Sequence, residues 1–557
     1  MTKSDDLVFV ALGGAGEIGM NMYLYGHGHG AKRRWIMVDC GVGFGDMETS
    51  PGIELVMADP SFIEAQADKL DGIFATHAHE DHIGAMGRLW PRLKSKIYAQ
   101  PFTAANIMRK MEEAGASPKQ VRLVEKDEVV EVGPFKVRFQ PITHSIPEAA
   151  ALVIDTPSGR IVHSGDFKID HAPQMGDPFD EEAFRKIGDE GVHALVCDST
   201  NVMIPGRGHS EEEVLAPLTE LIRNAKGAVA ATTFASNVAR VRSLALAARQ
   251  TGREIVLVGR AMKRMVEISE QCGLLTDMPS TVSEDDADSL PRENVFYIVT
   301  GSQGEGRAAL ARIASGSHPT VELTDGDTVI FSSKTIPGNE EAVYKLHNQL
   351  SERGVQVFDE SNGGMIHVSG HARQGDVEKL YELLRPKVAI PMHGEHRHLT
   401  HHAALAESLG VPSVVAANGA VAGIAGPRPE IVDHAEVGRI YLDGDTLVGA
   451  LDGVVRERLK LARNGLVIAS LVVDEDGELV ADPEVKILGG PQEGHGWPQP
   501  LEDLIWDAID ADIEKASRKQ RTDDGLEGVA SRAIRRVCRR WWGKKPQVAV
   551  LVTRLED

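Results

Sequence analysis

The chain has 557 residues, 42% hydrophobic and 25% charged, too long for one hydrophobic core and too apolar for wholesale disorder, so two or three domains are expected. Its 82 acidic and 60 basic residues give a net charge of −22, which excludes a protein gripping nucleic acid over its whole surface but leaves room for one basic groove. Cys40, Cys197, Cys272 and Cys538 lie far apart with no CxxC, against a disulfide scaffold or a four-thiolate zinc site and in favour of a reducing compartment.

No secretory leader is read in residues 1–6, and no segment reaches the roughly 20 apolar residues that span a bilayer, so a cytoplasmic protein is expected. Residues 7–12 form a short apolar run followed by Gly13, Gly14, Gly16 and Gly19, and residues 22–25 and 35–38 read as further strands. Residues 71–75 form another, running into THAHEDH; a helix near 86–93 and a strand at 96–99 follow. Short β-rich runs at 136–139, 151–155, 160–163 and 194–197 suggest two packed sheets with helices outside.

The rhythm changes near His209. Ser210 followed by Glu211, Glu212 and Glu213 reads as a capped helix start. Strands at 228–232, 255–258, 295–300 and 328–331 then alternate with helices near 238–250 and 340–350, the pattern of a parallel sheet over residues 208–366. The histidine-rich, short-strand pattern returns at 388–391, with a helix over 401–409 and a strand at 411–416. An α/β protein is therefore expected: a first domain split into 1–207 and 367–450 around an insert at 208–366, a linker at 451–465, and a small α/β domain at 466–557. That last domain should open with a hairpin turning at 474–477 and carry helices near 501–515 and 526–542.

The strongest chemical signal is His77-Ala78-His79-Glu80-Asp81-His82, immediately after a strand. On an extended segment His77 and His79 point the same way, and the following turn brings Asp81 and His82 to a second position. One stretch can thus feed two metals about 3.5–4 Å apart that share a hydroxide. Further ligand candidates end other strands: His144 in PITHSIP, Asp166 in HSGDFK and His393 in PMHGEH. A lone histidine such as His144 is usually structural; these three gain weight only together with His77–His82. Asp39, ending a strand, is either a carboxylate orienting a ligand histidine or a cap. Glu80 is expected to point away.

THAHEDHIGA with His144, HSGDFK and PMHGEH resembles the metallo-β-lactamase superfamily. DSTNV (198–202), SSKTIPGNE (332–340) and HVSGHA (367–372) resemble its nucleic-acid-processing branch with an inserted β-CASP domain, and within it the bacterial ribonuclease J family. The resemblance covers nearly the whole chain and implies an αββα sandwich carrying the insert. It implies one metal on His77, His79 and His144, a second on Asp81, His82 and His393, and Asp166 bridging them. Zinc suits the imidazoles, and the carboxylates also admit manganese or, in activity, magnesium.

The implied reaction is in-line hydrolysis of single-stranded RNA by a metal-bridging hydroxide, leaving a 5′ phosphate, with 5′-to-3′ exonuclease activity on 5′ monophosphate ends and endonuclease activity beside it, in mRNA decay and rRNA maturation. Asp81 would orient the attacking oxygen, His371 would serve the leaving oxygen, and Asp198 would orient the site. His367, Val368, Ser369, Gly370 and His371 would hold the RNA backbone, although by composition alone HVSGH is an ordinary turn. Ser333, Lys334 and Asn339 are further substrate candidates, and the loop Gly301–Gly306 lacks the lysine of a nucleotide triphosphatase, so the resemblance assigns it to the RNA cleft. The basic run Arg532, Arg535, Arg536, Arg539, Arg540, Lys544 and Lys545 beside Trp541 and Trp542 reads first as a solvated helix face, with RNA or subunit contact as the alternatives. The resemblance also implies a homodimer or homotetramer and contact with RNA-decay machinery. Competing readings are a hydrolase of small esters or lactones, a DNA-directed nuclease of the same branch, and a non-catalytic RNA-binding scaffold; the scaffold predicts a broken ligand set, whereas all seven expected ligands are present.

Overall fold

The computed structural model describes residues 6–336 and 338–555; Pro337 of the SSKTIPGNE motif lies outside them. The chain forms two compact units, one reaching Gly43 and resuming from Met57 to Arg439, the other made of Phe44–Val56 and the chain from Ile440 onward. No helix among the described residues is long and apolar enough to cross a membrane.

In the first unit, one sheet has eight strands in the order Glu430–His434, Ala420–Gly423, Leu7–Gly13, Met22–His27, Arg34–Val38, Leu70–Phe74, Ile97–Ala99 and Val121–Leu123. Its first five strands run antiparallel and the rest join in parallel. A second sheet of six strands runs Val129–Val132, Phe135–Pro141, Ala150–Thr156, Gly159–His163, Ala194–Asp198 and Val388–Met392. The two sheets share one core: Phe9, Tyr25, Val38 and Phe74 of the first lie with Val137, Leu152, Ile161 and Val196 of the second, all essentially inaccessible. Val8, Val10, Val153 and Val162 on the opposite faces are buried as well. Strands buried on both faces read as continuous apolar runs because helices cover their outer sides; Pro101–Glu113 packs on the first sheet and His396–Ser408 on the second.

Ala194–Asp198 pairs in parallel with Val388–Met392, although about 190 residues separate them in sequence. Much of the intervening chain forms its own all-parallel sheet in the order Thr281–Val282, Glu254–Val258, Val295–Val299, Val229–Thr232, Thr328–Phe331 and Gln356–Phe358. Leu215–Asn224, Val238–Gln250 and Arg260–Gln271 cover one face, and Ala309–Ala314 and Glu340–Glu352 the other. The protein is thus an α/β chain in which an αββα sandwich carries an inserted parallel sheet.

The second unit holds a three-stranded sheet, Glu484–Leu488, Leu466–Val473 and Gln547–Arg554, with Leu501–Glu514 and Asp523–Trp541 packed on one side. Val467, Ala469, Leu471 and Val473 alternate inward along the central strand. The expected turn exists, Gly477 N–H donating to the Asp474 carbonyl at 3.1 Å. The partner strand, however, is Glu484–Leu488, and residues next to the turn contribute only the bridge between Val473 and Leu479. Pro483 has no N–H to offer a ladder, so pairing resumes just beyond it. Residues 411–416 differ from expectation for the same reason. They form no strand but a single bridge from Ser413 to Ala389, beside Pro412.

Candidate metal centre

The centre is assembled where buried strands end. After Leu70–Phe74 the chain stays extended through His77 and His79, then turns into the short helix Glu80–Ile83, which redirects Asp81 and His82. His144 follows Phe135–Pro141, Asp166 follows Gly159–His163, and His393 follows Val388–Met392 at a left-handed φ of 50°. Such a backbone is unfavourable for a residue with a side chain and persists where its surroundings fix it.

Two groups of ligand atoms form, each drawn together within 4.8 Å: His77, His79, His144 and Asp166, and Asp81, His82, Asp166 and His393. Asp166 belongs to both. Its Oδ2 lies 3.1 Å from His82 Nε2, 3.3 Å from His393 Nε2, and 3.8 and 3.9 Å from the Nε2 atoms of His144 and His77. Asp198 and His371 form a third group with Asp166, His371 Nδ1 donating to Asp198 Oδ2 at 2.8 Å.

Hydrogen bonds on the far sides of the rings decide which nitrogen faces inward. His82 Nδ1 donates to Asp39 Oδ2 at 2.7 Å, His144 Nδ1 to the Gly370 carbonyl at 2.6 Å, and His393 Nδ1 to Asn21 Oδ1 at 2.8 Å. Thr76 gives its hydroxyl proton to Asp39 Oδ2 at 2.8 Å and therefore accepts from His77 Nδ1 at 3.0 Å. All four rings consequently turn Nε2 to the centre, the nitrogen whose lone pair a metal ion would take. There, His79 Nδ1 stands 3.0 Å from His77 Nε2 and 3.2 Å from His144 Nε2, and its one proton can serve only one of them fully. Asp166 Oδ1 is buried and, among the described residues, has no hydrogen-bond partner. Converging lone pairs and an orphaned carboxylate oxygen are what divalent cations satisfy, so the residues fit two metal ions.

Electrostatics sort the same residues. Burial drives His77 and His144 well below the ordinary histidine range and His79 to about 4, leaving them neutral as ligands require. For His82 burial acts in the same direction, but the carboxylates of Asp166, Asp81 and Asp39 outweigh it and hold the ring well above that range, so a metal ion at its Nε2 would displace a proton. His371 is likewise raised to about 9, burial being overcome chiefly by Asp198.

The other candidates fall around this centre. Asp39, itself at φ 62°, orients His82 directly and His77 through Thr76. Glu80 turns outward to Lys110. Ser369 accepts from Asn201 Nδ2 at 2.8 Å, while Val368 is buried in the apolar cluster beneath the inserted sheet and leaves only its backbone to face a ligand. Gly370 is required by packing: a Cβ there would lie 2.4 Å from Ser145 Oγ and 2.8 Å from His144 Cε1. His367, Ser369, Lys334, Asn201, His209 and Arg373 line a cavity of about 290 Å³. Ser333 follows strand Thr328–Phe331 and Asn339 stands at the N-cap position of helix Glu340–Glu352 without a side-chain capping bond, and among the described residues no hydrogen bond ties either to the metal-type ligands. Sequence reasoning missed Asn21, which contacts Asp81, His82 and His393. Its one signal was its place at the end of the glycine-rich loop after the first strand.

Four family models match the chain: "Beta-lactamase superfamily domain" over residues 34–199, "Ribonuclease J, beta-CASP domain" over 226–350, "Zn-dependent metallo-hydrolase RNA specificity domain" over 364–416 and "Ribonuclease J C-terminal domain" over 453–555. Among curated proteins, Ribonuclease J of Sinorhizobium meliloti is 43% identical, the match covering 100% of this chain and 98% of that protein. Ribonuclease J of Mycolicibacterium smegmatis is 37% identical over 96% of this chain and 94% of its own, and that of Corynebacterium glutamicum 39% identical over 87% and 68%.

Proposed function

The chain belongs to the ribonuclease J family, and we propose that it is a metal-dependent ribonuclease of single-stranded RNA. It degrades from 5′ monophosphate ends in the 5′-to-3′ direction and also cuts internally, serving mRNA decay and rRNA maturation. The observation that carries this reading is the convergence on Asp166 of two complete His/Asp ligand groups beside a cavity lined by hydrogen-bond donors.

His77, His79 and His144 would hold one ion, Asp81, His82 and His393 the other, and Asp166 both. Zinc suits this donor set, with manganese admitted by the carboxylates. Bound divalent ions would supply Lewis acidity at a phosphoryl oxygen and a nucleophile at neutral pH. Asp81, one of the more exposed of the ligands, is placed to orient the attacking oxygen. His371, held charged by Asp198, keeps Nε2–H free to donate to the departing 3′ oxygen. The donors of Ser369 and Lys334 would grip the RNA backbone, with Ser333 and Asn339 further along the inserted sheet. In this reading residues 1–207 and 367–450 make the catalytic domain, except that Phe44–Val56 and the chain from Ile440 group with the other compact unit; 208–366 is the β-CASP insert, and 466–557 a C-terminal domain whose link at 451–465 is largely the helix Val454–Asn464. The enzyme is cytoplasmic, works as a dimer or tetramer, and meets other RNA-decay proteins.

The test uses matched single-stranded RNAs with 5′ monophosphate, triphosphate or hydroxyl ends, DNA counterparts, and zinc, manganese or magnesium. Metal-dependent release of 5′ mononucleotides, fastest from monophosphate RNA and absent when Asp81 and His82 are replaced by alanine, is the expected result. Cleavage of DNA alone, or none by folded, metal-loaded protein, overturns it.

A further inference from the structure

Arg240, on helix Val238–Gln250, is completely buried, an unusual place for a guanidinium. Its Nε and Nη2 grip both oxygens of Glu211, itself 4% exposed, at 2.6 and 2.9 Å. Its Nη1 reaches the carbonyl and hydroxyl of Ser332 at 3.0 and 2.9 Å, the Ile366 carbonyl at 3.3 Å and His367 Nδ1 at 3.2 Å. Glu211 is anchored in turn, its N–H donating at 3.0 Å to Asp170, which pairs with buried Lys168 at 2.7 Å. One side chain therefore ties together both passages of the chain between the sandwich and its insert, near residues 211 and 366.

The contact with His367 carries more than structure. Arginine has no lone pair, so in this contact, one of four that share the two Nη1 protons, Nδ1 is the acceptor and the ring proton belongs on Nε2. His367 lines the 290 Å³ cavity together with Lys334, Ser369 and Asn201. Burial first, then the charges of Arg240 and Lys334, hold the ring well below the usual histidine range, against a smaller pull from the Ser332 carbonyl, so it is a neutral donor.

We propose that Arg240 is a positioning residue for the substrate: it locks His367 in the Nε2–H tautomer, so that the ring donates a hydrogen bond into the cavity to a phosphate oxygen of the bound RNA strand. The proposal rests on the ribonuclease reading for the identity of that anion, and on geometry alone for the tautomer.

Removing only Arg240 would leave Glu211 charged and buried, which is costly, so the test is the double variant Glu211→Gln/Arg240→Met. Arg240→Lys is the second: it keeps the ion pair but cannot fork to His367 as well. In full-length, metal-loaded protein labelled with 15N-histidine, the resonance lost in His367→Gln should report Nε2–H in the wild type and a shift towards Nδ1–H in both variants. Binding of a nuclease-resistant 2′-O-methyl RNA with a 5′ monophosphate should weaken about tenfold, the loss of one hydrogen bond to a charged group. With cleavable RNA, KM should rise by a similar factor and kcat change by less than about twofold. An Nδ1–H tautomer in the wild type, or a tautomer unmoved in the variants, overturns the proposal. So does a changed tautomer with unchanged RNA affinity. Wild-type protein that binds no RNA overturns the ribonuclease reading instead, while the spectrum still decides the tautomer.

Discussion

Replacing Asp39 by asparagine should weaken both metal positions at once, although Asp39 belongs to neither. Its Oδ1 accepts from the Thr76 backbone N–H at 2.8 Å, and its Oδ2 accepts from the Thr76 hydroxyl and from His82 Nδ1. The backbone donor cannot turn away, so the asparagine oxygen must take the Oδ1 place and its NH2 group the Oδ2 place. A donor then faces His82 Nδ1, which can answer only by moving its proton to Nε2. The same NH2 group donates to Thr76 Oγ1, whose hydroxyl proton swings to His77 Nδ1 and sends that ring's proton to Nε2 as well. One histidine in each group thus loses its inward lone pair. Losses of partners behind metal ligands typically cost 10–100-fold in affinity, or about 1.4–2.8 kcal/mol per site. The fold should survive, because asparagine tolerates the left-handed backbone at this position and burial already disfavours the charge on Asp39. Chelator competition with elemental analysis measures both affinities, and the melting temperature checks folding. If the asparagine variant holds two ions as tightly as the wild type, the tautomer argument is wrong.

Stripping divalent ions should lower the melting temperature of the wild type, since the ligands converge only in the folded chain; at ion concentrations 100-fold above Kd the loss is about 2.7 kcal/mol. Asp166→Ala, lacking the carboxylate common to both groups, should melt alike with and without chelator. Gly370→Ala must displace Ser145 and the His144 ring, which predicts an overpacking cost of about 1–3 kcal/mol and a fall in kcat/KM that added metal does not restore; wild-type turnover in this variant would mean that His144 does not depend on the loop. His371→Gln should keep both ions and lose about 10²–10⁴ in kcat, and single-turnover rates at saturating RNA would expose an error if they remained normal.

The residues legible in the sequence are those that end strands. Buried strands leave continuous apolar runs, and the polar residue that closes such a run, as in Phe74-Ala75-Thr76-His77 or Ile390-Pro391-Met392-His393, stands out against it. Sheet order then brings these ends together: Gly159–His163, Ala194–Asp198 and Val388–Met392 are parallel neighbours, so Asp166, Asp198 and His393 leave the same edge. The return of the sandwich after the insert is readable too, because the parallel sheet has its own helix–strand rhythm.

What stayed hidden is the layer behind, because its pairings depend on topology and carry no local pattern. Glu211 reads as one of three acids at a helix start, and Ser210 and Glu213 do form the expected cap. Yet Glu211 turns inward to Arg240, 29 positions away, and Arg240 reaches His367 across 127 more. His402 reads as one polar residue of a histidine-rich helix, but it is buried between Ser199 Oγ at 2.8 Å and the Tyr381 hydroxyl at 3.1 Å. Asn21 and Thr76 look like ordinary loop residues. Each fixes the proton of a histidine that meets the centre, and the sequence records the histidine without recording which nitrogen it offers. In the proposed metal site, binding would depend on that choice of nitrogen, which would place the partners of the histidines under as tight a chemical constraint as the ligands themselves.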